Sequence, residues 1–143
     1  MMLRVAWFSP LQSKRYDRVL GSQWIRLLQL VGPLIDKRVE VTINPVGQKY
    51  DAAVFLRAFG PRHQALAQRF RDKGIPVVAD LVSNVFETVP ATYSPTSSVG
   101  LQKDEVQGFL RHSAEVWTAS AYLAEVLRGY HSQVHYIPDA VDT

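Results

Sequence analysis

The sequence predicts an α/β domain of the doubly wound, Rossmann-like type, with a parallel sheet. Three observations predict it. Short apolar, strand-like runs alternate with amphipathic stretches of about ten residues, the pattern of strands linked by crossover helices. The connection 44–51 between the second and third runs is too short to hold a helix. The third strand is therefore expected beside the first, on the side away from the second. A chain of 143 residues that is 47% apolar also fits one domain with a full core.

The elements follow in order. Leu3 to Phe8 reads as a mostly buried strand. Ser22 caps a helix with Trp24, Leu27, Leu28, Val31, Leu34 and Ile35 on its apolar stripe, and Gly32-Pro33 loosens its last turn. Val39 to Ile43 alternates with period two and stops at Asn44-Pro45, as an edge strand does. Ala52 to Leu56 is the third strand. Pro61 opens a helix with Leu66, Ala67 and Phe70 inward, and Gly74 ends it. Ile75 to Leu81 is the fourth strand. Residues 83–103 form a long Ser-, Thr- and Pro-rich connection, read as a binding loop, a flap or a groove filler. A helix from Asp104 to about His112, a strand at Glu115 to Thr118, a helix from Ala119 or Ser120 to Arg128 and a strand at Val134 to Ile137 complete the chain.

Composition narrows the function classes. No cysteine is present, which excludes a disulfide scaffold, a thiolate zinc site and a cysteine nucleophile. No apolar run approaches the ~20 residues of a membrane span, and Met1-Met2-Leu3-Arg4 does not read as a signal peptide. The expectation is a soluble, cytoplasmic domain. The net charge of +3 is mild, but residues 1–38 carry seven basic against two acidic side chains. No dense basic stripe with interleaved aromatics appears, so nucleic acid is not an expected partner.

Doubly wound sheets bind ligands beyond the carboxyl ends of their strands, near the point where strand order reverses. The loop after Phe8 has neither a GxGxxG turn nor a Walker lysine, so a dinucleotide on the first helix is not expected. It carries Lys14, Arg15, Tyr16 and Arg18 instead, which read either as a site for an anionic or sugar-bearing ligand or as a solvated loop. Arg57, ending the third strand, either binds a phosphate or pairs with Asp80. Asp80, Asn84 and Glu87 follow the fourth strand, where carboxylates accept from sugar hydroxyls or act as a base. Asp80 equally suits capping the amides of its own loop. His63, His112, His131 and His135 show no metal-ligand spacing beyond the last pair and read as surface or strand-edge imidazoles. No metal or cofactor is expected.

The C-terminal third carries a family resemblance. Ala114-Glu115-Val116-Trp117-Thr118-Ala119-Ser120 followed by Val134-His135-Tyr136-Ile137-Pro138-Asp139-Ala140-Val141-Asp142 resembles the amino-terminal domain of GT-B glycosyltransferases of the retaining family-4 type. There a strand ends in Ser before a helix and a later strand runs into Ile-Pro-Asn-Gly-Val-Asp; here Asp139 and Ala140 replace Asn and Gly. Tyr50 to Arg57 and Gly74 to Leu81 are also similar to that family. The glycine pair after the first strand and the histidine near the donor sugar have no counterpart, and Val82-Ser83-Asn84 stands where an acidic pair is common.

The resemblance implies an acceptor-side domain over residues 1–137, with 138–143 beginning an interdomain linker. It implies transfer of a sugar from a nucleotide-sugar donor to a glycan, lipid-linked or small-molecule acceptor. A separate carboxy-terminal domain would hold the donor, so the chain alone is expected to be inactive. Lys14, Arg15, Arg18, Arg57, Asp80, Asn84 and Glu87 are the expected acceptor-binding residues, and no catalytic residue carries over. Contact with the inner face of a membrane and homodimerisation through the cleft face are compatible with this reading. The alternative is a stand-alone, non-catalytic α/β binding or interaction domain.

Overall fold

The computed structural model describes residues 1–9, 34, 36–47, 49–81 and 103–138. They form a six-stranded, all-parallel sheet: β1 (Leu3–Phe8), β2 (Val39–Ile43), β3 (Ala52–Leu56), β4 (Val77–Asp80), β5 (Glu115–Thr118) and β6 (Val134–Tyr136), in the order β2-β1-β3-β4-β5-β6. Three helices connect them: α1 (Pro61–Asp72), α2 (Lys103–Arg111) and α3 (Ala121–Leu127). The fold is the expected α/β class.

The short β2–β3 connection does what its length predicts. β1 pairs with β2 on one side and with β3 on the other, so strand order reverses at β1. Among the described residues α1, α2 and α3 then lie over one face, and Leu34 packs on the other. Burial follows this division. On the first face Ala67 and Phe70 of α1, Val106, Phe109 and Leu110 of α2, and Leu123, Ala124 and Leu127 of α3 pack on Ala6, Phe8, Ala53, Phe55, Val77, Ala79 and Val116. On the second face Val5, Trp7, Val54, Leu56 and Val78 form a smaller cluster, with Leu34, Ile43 and Trp117 packed against it.

Local chemistry sets the element ends. Pro61 fits the first position of α1, where its missing N–H leaves no bond unmade, and Gly60 precedes it in an extended conformation. At the far end Gly74 takes φ +74°, which a side chain disfavours, so that the Ile75 N–H reaches the Phe70 carbonyl at 3.0 Å. Asp104 and Glu105 begin α2 and Arg111 ends it, matching the helix dipole. Ser120 is the N-cap of α3, its Oγ accepting from the Leu123 N–H at 3.1 Å.

The fourth strand is shorter than its apolar run. Pro76 has no N–H for the ladder, so pairing starts at Val77, while the Pro76 carbonyl accepts from Ala53 at 3.0 Å. β6 stops one residue before its predicted end, at Tyr136. The helix expected from Ser22 and the loop 83–102 lie outside the described residues, apart from Leu34 and Asp36, which are helical as predicted. Of the expected linker, Pro138 alone is described.

Candidate functional site

Strand order reverses at β1, and the carboxyl ends of β1 and β3 are where this class of fold binds its ligands. Register brings the relevant residues to that edge. Phe8 stands opposite Phe55, so Ser9 and Arg57 leave neighbouring strands close to the same level. Leu56 stands opposite Asp80, and Asp80 opposite Trp117. Arg57 and Asp80, both singled out from the sequence, are thus on adjacent strand ends.

Their connection is through the main chain. The Arg57 N–H donates to the Asp80 carbonyl at 3.2 Å, with Arg57 at φ +54°. A non-glycine residue in the left-handed region costs energy and is often held at functional positions. The Arg57 side chain is half-buried. Asp80 is 1% exposed, shares its sheet face with Val78 two residues before, and is not a free carboxylate. Lys14, Arg15, Arg18, Asn84 and Glu87 lie outside the described residues.

Three further residues lie near this edge that sequence reasoning did not select. Ser9, 3% exposed, donates its main-chain N–H to Oδ1 of Asn44 at 2.9 Å. Asn44 leaves β2 at φ +47°, a conformation Asn tolerates better than most residues. The available signal was the Asn-Pro stop after β2, which marks a turn and not a partner for β1. His63 departs from the surface reading. It sits in the first turns of α1, half-buried, its ring 6.4 Å from Phe8 and 6.2 Å from Phe55. Burial first, and the neighbouring Arg62 charge second, push its pKa below the ordinary imidazole value, so the neutral ring is favoured at pH 7.

The other histidines have different surroundings. His112 and His135 are exposed, the latter 3.8 Å from Glu115 on the adjacent strand. His131 is half-buried. The Gln133 N–H donates to its Nδ1 at 2.9 Å, so Nε2 carries the proton donated to the Ser113 carbonyl at 2.8 Å. No group of three His, Cys, Asp or Glu side chains among the described residues could hold a metal ion.

A depression of about 280 Å³ lies at the opposite, amino edge of the sheet, lined by Arg71, Gly74, Pro76, Arg111 and His112 among others. Its arginines have structural work. Arg71 and Arg111 end α1 and α2, and Arg71 donates to the His112 carbonyl at 3.2 Å and to Gln68. The carboxyl edge instead carries Arg57 and Asp80 on adjacent strand ends, with His63 over the first face and Asp80 on the second.

A doubly wound domain with polar residues at the strand ends beside its reversal is the class that fold and site define. Compared with protein-family models, curated proteins and solved structures, the chain matches none of them.

Proposed function

We propose that this domain is the acceptor-side half of a GT-B glycosyltransferase, which transfers a sugar from a nucleotide-sugar donor to a glycan, lipid-linked or small-molecule acceptor. The observation that carries the reading is the meeting of the Arg57 N–H with the Asp80 carbonyl at adjacent strand ends beside the β1 reversal. The guanidinium supplies directional donors to acceptor oxygens or a phosphate, and the carboxylate accepts from hydroxyls. On this reading Lys14, Arg15 and Arg18 add positive charge toward the acceptor, and Asn84 and Glu87 add hydroxyl contacts. The nucleotide diphosphate is held by a second domain. In a retaining transfer the leaving phosphate itself takes the acceptor proton, so this half needs to orient a hydroxyl and not to deprotonate it. The same reading sets the reaction in the cytoplasm, at the inner membrane face where the acceptor is lipid-linked. Among the described residues no helix is long and apolar enough to cross a membrane.

Titration of the ¹⁵N-labelled chain tests the proposal. Methyl glycosides of glucose, galactose, mannose and N-acetylglucosamine serve as acceptor probes. At least one should shift the amide signals of Ser9, Asn44, Arg57 and Asp80 and leave Arg71, Arg111 and His112 unmoved. Calorimetry with UDP-glucose and GDP-mannose should give no binding tighter than about 1 mM, roughly −4 kcal/mol. Micromolar binding of either nucleotide sugar, or no glycoside response at the carboxyl edge, overturns it.

A further inference from the structure

Buried side-chain polar atoms in this domain generally have partners. Ser113 Oγ donates to the Phe109 carbonyl at 2.7 Å, and Thr118 Oγ1 accepts from the Ser120 N–H at 3.4 Å. Among the described residues two such atoms lack one: Trp7 Nε1 and Ser9 Oγ. They are two residues apart at the end of β1, the strand at which the sheet order reverses.

The second indole shows what a structural solution looks like. Trp117 meets Trp7 edge-on, with ring centroids 6.3 Å apart, and its Nε1 donates to Oε2 of Glu115, two residues before it, at 3.0 Å. Trp7 has Ser9 two residues after it, a side chain able to accept an indole N–H, and the two do not bond. Leaving two donors unmade in a buried setting is costly and rare, and such exceptions collect where a ligand supplies the missing partner.

We propose that Trp7 Nε1–H and Ser9 Oγ–H are ligand-binding groups, held for the oxygens of an uncharged, polyhydroxylated ring. An indole N–H only donates, so its partner is an acceptor oxygen; a serine hydroxyl both donates and accepts. Asp80 occupies the same sheet face, in register with Leu56 and Trp117, and a carboxyl group suits hydroxyl partners. A phosphate on the same acceptor would lie toward Arg57 instead. This inference rests on the glycosyltransferase reading and names which groups grip the acceptor sugar.

The test uses the intact chain with the four methyl glycosides. The chain has three tryptophans, and Trp7→Phe identifies the Trp7 indole N–H signal by its loss. In the wild type that signal should move downfield with the glycoside that binds. Ser9→Ala should weaken that glycoside about five- to tenfold. Its ligand-free Tm should stay level or rise by up to about 2–4 °C, because an unpaired buried hydroxyl has been removed. A Tm lowered by that much makes the hydroxyl structural and overturns the proposal. So does an unchanged affinity in Ser9→Ala, or an indole signal that stays still while the Arg57 and Asp80 amides shift; the glycosyltransferase reading survives these three results. No glycoside response anywhere at the carboxyl edge removes both.

Discussion

The Ser9 N–H donates to Oδ1 of Asn44 at 2.9 Å, and the Asn44 N–H returns to the carbonyl of Trp7 at 2.9 Å. One side chain thereby fastens the end of β1 to the edge strand beside it. It does so from a left-handed backbone, φ +47°. Asn44→Ala loses the acceptor and meets the left-handed penalty, and should cost about 1–3 kcal/mol. Asn44→Gly loses the acceptor alone and should cost less. Urea midpoints of the two variants check the order, and the reverse order would deny the backbone its part.

Arg57 also holds a left-handed backbone, at φ +54°. Glycine there removes a penalty of about 1–2 kcal/mol and adds roughly 0.5–1 kcal/mol of unfolded-chain entropy. Arg57→Gly should therefore be more stable than Arg57→Ala by about 1 kcal/mol in denaturant titrations. Both variants lose the guanidinium, so both should lose glycoside response at the carboxyl edge if the proposed function holds.

His63 makes stability depend on pH in a definite direction. Burial, then the Arg62 charge, lowers its pKa in the folded chain below the ordinary imidazole value of about 6.5. The unfolded chain binds more protons at this site, so stability rises with pH through the window between the two values. The contribution is complete above about pH 6.5 and is lost as pH falls through the folded value. His63→Gln should not show it. The stability difference, wild type minus variant, should shrink from pH 7 to pH 5; a constant difference would mean that the site titrates alike in both states.

The seven-residue α3 depends on its cap. Ser120 Oγ accepts from Leu123, satisfying one of the unpaired amides of the first turn. Ser120→Ala should cost about 1 kcal/mol, and Ser120→Asp, which keeps an acceptor and adds negative charge at the helix start, should recover it. Thermal melts of the three chains separate the cases.

Much of this architecture was legible because its signals are local. Periodicity, Pro61, Gly74 and Ser120 each announce an element end within a few residues, and the eight-residue gap 44–51 is enough to fix where β3 must go. The position of Arg57 and Asp80 at the carboxyl ends of β3 and β4 was legible because each directly ends or follows a parallel apolar strand. Ser9, Asn44 and His63 were not. Their meaning lies in pairings between segments 35 residues apart or more, as with Ser9 and Asn44, and a serine after a strand otherwise reads as an ordinary turn residue. His63 follows a helix-opening proline, and only the packing of α1 over Phe8 and Phe55 shows that its ring is drawn off the surface.

The edge-on meeting of Trp7 and Trp117 gives the domain a built-in optical gauge. Their chain positions belong to β1 and β5, with β3 and β4 between them, and the two planes are inclined at 63° with centroids 6.3 Å apart. Transition dipoles that close and that oblique couple, so the pair contributes a circular dichroism couplet that neither indole has alone. Its sign and size follow the mutual orientation of the two rings, which the helix bands at shorter wavelength do not report. Splaying of the sheet's middle would quench the couplet while the three helices still absorb as helices.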